Sequence, residues 1–185
     1  IDAFNNAFTE TDNVFLIMAC FNGVRVNGFD GPSESKKWEN HYLSSKLGLA
    51  EKIHVFPQAI PNHADLAAIM NSSDCGFFPA RAEGANLPLM ESLSLGKNCI
   101  ATNYSAHTEF VEKAGCHLIN ISKSDDAYEP PFFPAGKGQW AHLGKDEMEQ
   151  AVTLLRKVHK DKQEDNLKFN ELGYNLFRNE MSWDK

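Results

Sequence analysis

Residues 74–102 read DCGFFPARAEGANLPLMESLSLGKNCIAT, and the order of signals in this stretch decides the fold. Cys75-Gly76-Phe77-Phe78 is a short apolar run of strand length. Pro79 to Ala85 is a loop rich in small residues. Asn86 is a good helix cap, and Pro88 fits the first helical turn, where its missing N–H costs nothing. The spacing then predicts a helix from Asn86 to Leu95, stopped by Gly96. Asn98 to Thr102 returns to strand character. A strand–loop–helix–strand unit of this length is how parallel strands are joined, because parallel neighbours need a crossover.

The same rhythm extends outward. Upstream, Val14 to Cys20 is a continuous apolar run, expected of a strand buried on both faces. A Gly-rich stretch follows (Asn22-Gly23, Asn27 to Pro32), then a helix over Lys36 to Leu47, capped by Ser33 or Ser35 and ended by Gly48. Lys52 to Phe56 reads as a strand, and Asn62 caps a helix through Asp65, Leu66, Ile69 and Met70. Downstream, Ala106 to Ala114 reads as a helix stopped by Gly115, and Cys116 to Ile121 as a strand. Residues 123–145 break the pattern with Tyr128-Glu129-Pro130-Pro131-Phe132-Phe133-Pro134 and Gly136 to Trp140; loops this long are functional or cover a sheet edge. Two helices close the chain, Asp146 to Lys160 with Met148, Val152, Leu155 and Val158 on one face, and 164–180 with Leu167, Leu172 and Leu176. The expectation is an α/β fold, a Rossmann-like parallel sheet with helices on both faces. It forms a single domain over 1–185, cut at its N-terminal edge, with C-terminal helices over 146–185.

Composition narrows the function. The 185 residues are 42% hydrophobic with a formal net charge of -7. An acidic chain lacks the basic surface that nucleic acid or an anionic membrane needs. A small phosphate ligand is still allowed, since backbone N–H groups at a helix start bind one without side-chain charge. The longest apolar run, Val14 to Phe21, is far too short to span a bilayer. Cys20, Cys75, Cys99 and Cys116 form no C-x-x-C pair, and the seven histidines lack ligand spacing. They read as reduced, buried thiols with no metal site, and with no leader sequence the expected compartment is the cytoplasm.

The chemistry concentrates between Glu83 and Glu91. Ligands of open α/β sheets sit beyond the carboxyl ends of the strands, which is where this loop lies. Gly84 and Ala85 allow close backbone approach. The free amides of Gly84, Ala85, Asn86 and Leu87, with the helix dipole behind them, make a diphosphate site. Glu83 precedes the helix and Glu91 lies inside it, on the order of 10 Å away. Carboxylates so far apart cannot share one proton or metal. They can hold hydroxyls at the two ends of one extended ligand, a sugar at one end and a ribose at the other.

EGANLPLME, Glu83-x7-Glu91, resembles the Glu-x7-Glu motif of family 4 (group 1) glycosyltransferases of GT-B fold. Ser72 to Pro79 resembles the strand entering that motif, and Glu91 to Thr102 its continuation. His54-Val55-Phe56, Asp65-Leu66 and Ser182-Trp183 match shorter family signals. The resemblance implies a carboxyl-terminal domain that binds a nucleotide-diphosphate sugar, UDP- or GDP-linked, as co-substrate, with no other cofactor. Glu83 would act at the transferred hexose and Glu91 at the ribose. Transfer would be retaining and metal-independent. It also implies an acceptor-binding N-terminal domain outside this chain, through which peripheral membrane contact would arise. On that reading the 185 residues alone are inactive. The family's phosphate-binding Arg and Lys are not matched, since Arg25 falls one unit late. Asn98 replaces a common Pro, and Tyr104 to Glu109 keeps only Glu109 of a Gly-Gly-x-x-Glu segment.

Other residues carry two readings each. Arg81 pairs with a local carboxylate or touches phosphate. His107 is a loop or capping residue, or part of the site. Ser105 is a candidate donor contact. Ile60, beside Pro61, walls the nucleobase or packs a turn. Trp140 and Phe132-Phe133 stack on an acceptor sugar or anchor a loop. The competing functions are a non-catalytic nucleotide-sugar-binding module and a GT-B-fold epimerase, for which His107 with Glu109 is the one hint; no lysine site for pyridoxal phosphate marks a phosphorylase.

Overall fold

Parallel strand pairs recur along the chain. The computed structural model describes residues 1–19, 49–56, 60–128 and 137–182, which divide into a unit from Ile1 to Leu66 and a unit from Ala67 to Lys185. The Gly-rich stretch, Arg25, the 36–47 helix with its caps, Cys20, Phe132-Phe133 and Trp183 lie outside the described residues.

In the first unit, α1 (Asp2–Ala7) buries Ala3, Phe4 and Ala7, and Phe4 meets Phe8 edge-on at 5.1 Å. Strand β1 (Leu16–Ala19) pairs in parallel with β2 (Ile53–Phe56), Leu16 opposite Ile53 and Ala19 opposite Phe56. The expected burial of β1 on both faces is not found: Leu16 and Met18 are half-buried, whereas Ile17 and Ala19 are exposed. Strand side chains alternate between faces, and an apolar run does not specify whether both faces are covered. Lys52, the residue before β2, is tied by its ammonium to the Asp12 carbonyl. Asn62 accepts a bond from Ala64 N at 2.9 Å and starts α2 (His63–Ser72).

The second unit holds a three-stranded parallel sheet, whose first two strands are those read from residues 74–102 and whose third falls within the strand read over Cys116 to Ile121. Strands β3 (Cys75–Phe78), β4 (Asn98–Asn103) and β5 (His117–Asn120) run in the order β3-β4-β5, with Gly76 opposite Cys99 and Ala101 opposite Leu118. Helix α3 (Leu87–Ser94) crosses from β3 to β4. Cys99, Ile100, Ala101 and Thr102 are all buried, so the central strand is covered on both faces, as an α/β parallel sheet requires. Cys99 and Ala101 share a core cluster with Leu89 and Leu93 of α3 and with Phe110, Val111, Ala114 and Phe177. Gly96 ends α3 at φ 72°, a left-handed conformation that glycine adopts without penalty.

A hairpin of β6 (Ser124–Asp126) and β7 (Gln139–Ala141) follows, then α4 (Lys145–Gln163) and α5 (Glu171–Asn175), whose last turn widens into a π turn over Leu176–Glu180. Two helix expectations are corrected here. Ala106 to Ala114 is no α-helix: Ser105–Glu109 forms a 3-10 turn and residues 110–115 continue as turns, because Ser105 stands at φ 57° and His107 is drawn into the interior. Residues 164–170 are not helical either; Asp165 is left-handed at φ 56°, and Asn170 caps the later helix by accepting from Gly173 N at 3.0 Å. The same side chain donates to the Ala114 carbonyl at 2.9 Å. Leu172, expected on a buried face, is exposed, while Gly173 and Phe177 are buried.

The thiols of Cys75 and Cys116 are pushed up to about 12 by burial, and burial raises that of Cys99 as well. All three are free and protonated at neutral pH.

Glu147 anchors the start of α4. The buried carboxylate accepts from Gly144 N at 3.0 Å, from Ser122 Oγ at 2.9 Å and from Ser122 N at 3.4 Å. Hydrogen bonds from backbone N–H groups, its own first, and from the Ser122 hydroxyl hold it below the usual carboxylate range. A carboxyl depressed in the folded state stabilises the protein above its unfolded value, about 4.3, and that contribution is lost as pH falls through the folded value. Glu147→Gln is therefore less stable than wild type at pH 7, and the gap narrows in urea titrations below about pH 4. An equal gap at both pH values contradicts this role.

Candidate functional site

The carboxyl ends of β3 and β4 lead into adjacent loops, Pro79 to Asn86 and Tyr104 to Glu109. The second loop and the residues around it hold the first at regular points. Thr102 Oγ1 donates to the Ala80 carbonyl at 2.7 Å. Ser105 Oγ donates to the Glu83 carbonyl at 2.8 Å and accepts from Glu83 N at 3.4 Å, and Ala106 N reaches the same carbonyl at 3.4 Å. Asn86 Nδ2 lies 3.0 Å from His107 Nε2. The grip falls on residues 80, 83 and 86, at intervals of three.

Arg81 is held from the other side by the hairpin. Its carbonyl accepts from Ala141 N at 2.8 Å, and its Nε donates to the Ala141 carbonyl at 3.2 Å. Its guanidinium pairs with Asp125 at 2.9 Å and lies 4.7 Å from the centre of the Trp140 ring. Asp125 also takes His142 Nδ1 at 2.9 Å. The His142 hydrogen bond, with the charge and hydrogen bond of Arg81 behind it, holds the Asp125 carboxyl below its usual range. Arg81 is thus engaged with a local carboxylate, and the ring face of Trp140 is covered by it.

Between these anchors the chain presents unused polar groups. Asn86 is left-handed at φ 62° and caps α3 by accepting from Leu89 N with its side chain. Ahead of it, the N–H groups of Gly84, Ala85, Asn86 and Leu87 have no partner among the described residues. Gly84, Ala85 and Leu87 are exposed. Pro88 occupies the first turn, so the missing N–H is one that α3 does not need. The side chains of Glu83, half-buried, and Glu91, exposed, likewise bond to nothing among the described residues. Four N–H groups at the start of α3 and two carboxylates on either side of them in sequence are therefore available to a ligand: N–H groups at a helix start donate to anions, and carboxylates accept from hydroxyls.

Ser105, His107 and Ile60 differ in exposure and partners. Ser105 spends its hydroxyl on the Glu83 backbone. His107 is fully buried, with both ring nitrogens facing chain partners. Ile60 is half-buried in the first unit. Sequence reasoning did not single out Thr102, Asp125 or His142 as supports of this loop. Thr102 carried a signal, a hydroxyl at a strand's end beside a ligand loop; Asp125 and His142 carried none, lying 44 and 61 positions from Arg81.

Residues 4–129 match the family model described as glycosyl transferases group 1, a span that covers well over half of the chain and includes the whole of the 83–91 segment. No curated protein matches the chain. No helix among the described residues is long and apolar enough to cross a membrane.

Proposed function

The chain belongs to the group 1 glycosyl transferases, and from that premise we propose that residues 83–91 bind a nucleotide-diphosphate sugar, UDP- or GDP-linked, for retaining transfer of a hexose within a GT-B arrangement. The observation that carries the reading is the row of four unpartnered amides at the start of α3 between two unpartnered carboxylates. In this reading the diphosphate sits on the amides of Gly84 to Leu87, Glu83 takes hydroxyls of the transferred sugar, and Glu91 takes the ribose.

The chemistry follows from charge. As the bond from the anomeric carbon to the diphosphate breaks, negative charge builds on the leaving group. Fixed N–H dipoles aimed at that position stabilise it more than they stabilise the ground state. The helix dipole adds to them, so the step is carried without a metal ion. Three protonated, partly or fully buried thiols fit a reducing compartment, and the cytoplasm is the proposed location.

A thermal-shift panel of UDP- and GDP-sugars tests this. A donor at 100 times its Kd stabilises the folded chain by about 2.7 kcal/mol, so at least one donor raises the melting temperature. No shift with any of them at millimolar concentration counts against donor binding.

A further inference from the structure

We propose that His107 is a positioning residue of this site, which sets the orientation of the Asn86 amide and through it the backbone that presents the free N–H groups. The assignment of those N–H groups to a donor rests on the reading above; the coupling of His107 to Asn86 does not.

The chain of contacts begins at Thr102. Its carbonyl lies 2.9 Å from His107 Nδ1, and a carbonyl only accepts, so Nδ1 carries the hydrogen. Asn86 Oδ1 accepts from Leu89 N at 3.2 Å, so the NH2 end of the amide is left for the ring and Nε2 accepts from it at 3.0 Å. Rotating the amide by half a turn would set oxygen against the Nε2 lone pair and N–H against N–H, losing both bonds. The chain of dependence runs from a strand carbonyl to an imidazole tautomer, to an amide orientation, to a helix cap.

What it secures is a costly conformation. Asn86 stands at φ 62°, a left-handed conformation disfavoured for residues with a side chain, though asparagine tolerates it better than most. Backbone strain of this kind is kept only where the surroundings over-determine it. Here they do: His107 is 0% exposed, its ring meets Phe110 edge-on at 6.0 Å, and Thr102 holds the start of the same loop through Ala80. One residue of β4 thereby governs both ends of the segment, directly at Ala80 and through His107 at Asn86.

The test is a double-mutant cycle on the full chain. His107→Phe keeps an aromatic ring against Phe110 and removes both hydrogen bonds; Asn86→Gly keeps a left-handed backbone without the side chain. His107→Gln, which retains an acceptor for Asn86, runs the same cycle should the phenylalanine variant fail to fold. Hydrogen exchange of residues 84–90 and the Kd for UDP- and GDP-sugars are measured for each. A lost cap interaction accelerates that exchange and weakens donor binding by about tenfold in His107→Phe, with partial recovery in His107→Gln. In the Asn86→Gly background the His107 substitution adds nothing further, because the residue it acts through is gone. Wild-type exchange rates in His107→Phe, or effects of the two substitutions that simply add, overturn the proposal. Faster exchange in a chain that binds no nucleotide sugar removes the donor reading and leaves the coupling standing.

Discussion

Glu91→Ala removes most of the thermal shift that a UDP- or GDP-sugar gives the wild-type chain and leaves the ligand-free melting temperature almost where it was. The carboxylate is exposed and bonds to nothing among the described residues, and surface substitutions of that kind stay within about 0.5 kcal/mol. On the proposed reading, its removal costs the hydrogen bonds the carboxylate would make to ligand hydroxyls. Hydrogen bonds to a charged group contribute about 1.5–3 kcal/mol, which is roughly ten- to a hundredfold in affinity. Isothermal titration with the donor found by thermal shift checks the figure. Unchanged affinity in Glu91→Ala contradicts the role given to this end of the motif.

Leu93→Ala acts on the opposite side of the same helix and on the whole fold. Leu93 is 0% exposed and belongs to the cluster that seats α3 on β4 together with Leu89, Cys99, Ala101, Phe110 and Phe177. Removing three carbons from a packed interior costs about 2–5 kcal/mol, the transfer energy of the lost atoms plus the cavity they leave. A typical domain has about 5–15 kcal/mol in total, so the urea midpoint falls far. Leu172→Ala is the control: that side chain is 62% exposed, and its loss stays within about 0.5 kcal/mol. A Leu93→Ala variant within 1 kcal/mol of wild type, a bound set by the same scale, contradicts the packing described.

The contrast between these two leucines shows which parts of the fold were legible. Leu89 and Leu93 stand four apart between a cap at Asn86 and a stop at Gly96, so local rules alone place them on one face of a bounded helix. Leu172 follows a stretch whose helical spacing is overridden by Asp165 in a left-handed conformation and by the capping of α5 from Asn170. The strand–loop–helix–strand unit could be read because each of its signals is local. The 3-10 turn at Ser105–Glu109 could not, since it depends on His107 turning inward to meet Asn86, 21 positions away.

The site divides in the same manner. The loop, its small residues and its flanking glutamates are visible in the sequence because they are contiguous. The supports are not, because they come from β4, the following turn and a hairpin some 60 residues on. Arg81 illustrates the difference. A basic residue beside a phosphate loop suggests phosphate, yet Asp125, the Ala141 carbonyl and the Trp140 ring occupy it. Long-range pairing of this type leaves no periodic trace in one sequence.

Gly84 offers the most direct test. A Cβ added there meets no atom of the other described residues within 4 Å, its chain neighbours aside, and the residue is not among those with positive φ. Neither packing nor backbone conformation therefore requires glycine; on the proposed reading, room for a diphosphate against the amides does. The deciding measurement is the donor affinity of Gly84→Val beside its melting temperature. The expected result is a melting temperature within about 2 °C of wild type, as for a neutral surface change, and donor affinity reduced at least about tenfold, since the added methyl groups would stand where the proposed diphosphate must come. A Gly84→Val chain that binds the donor as tightly as wild type would contradict the placement of the diphosphate at the start of α3.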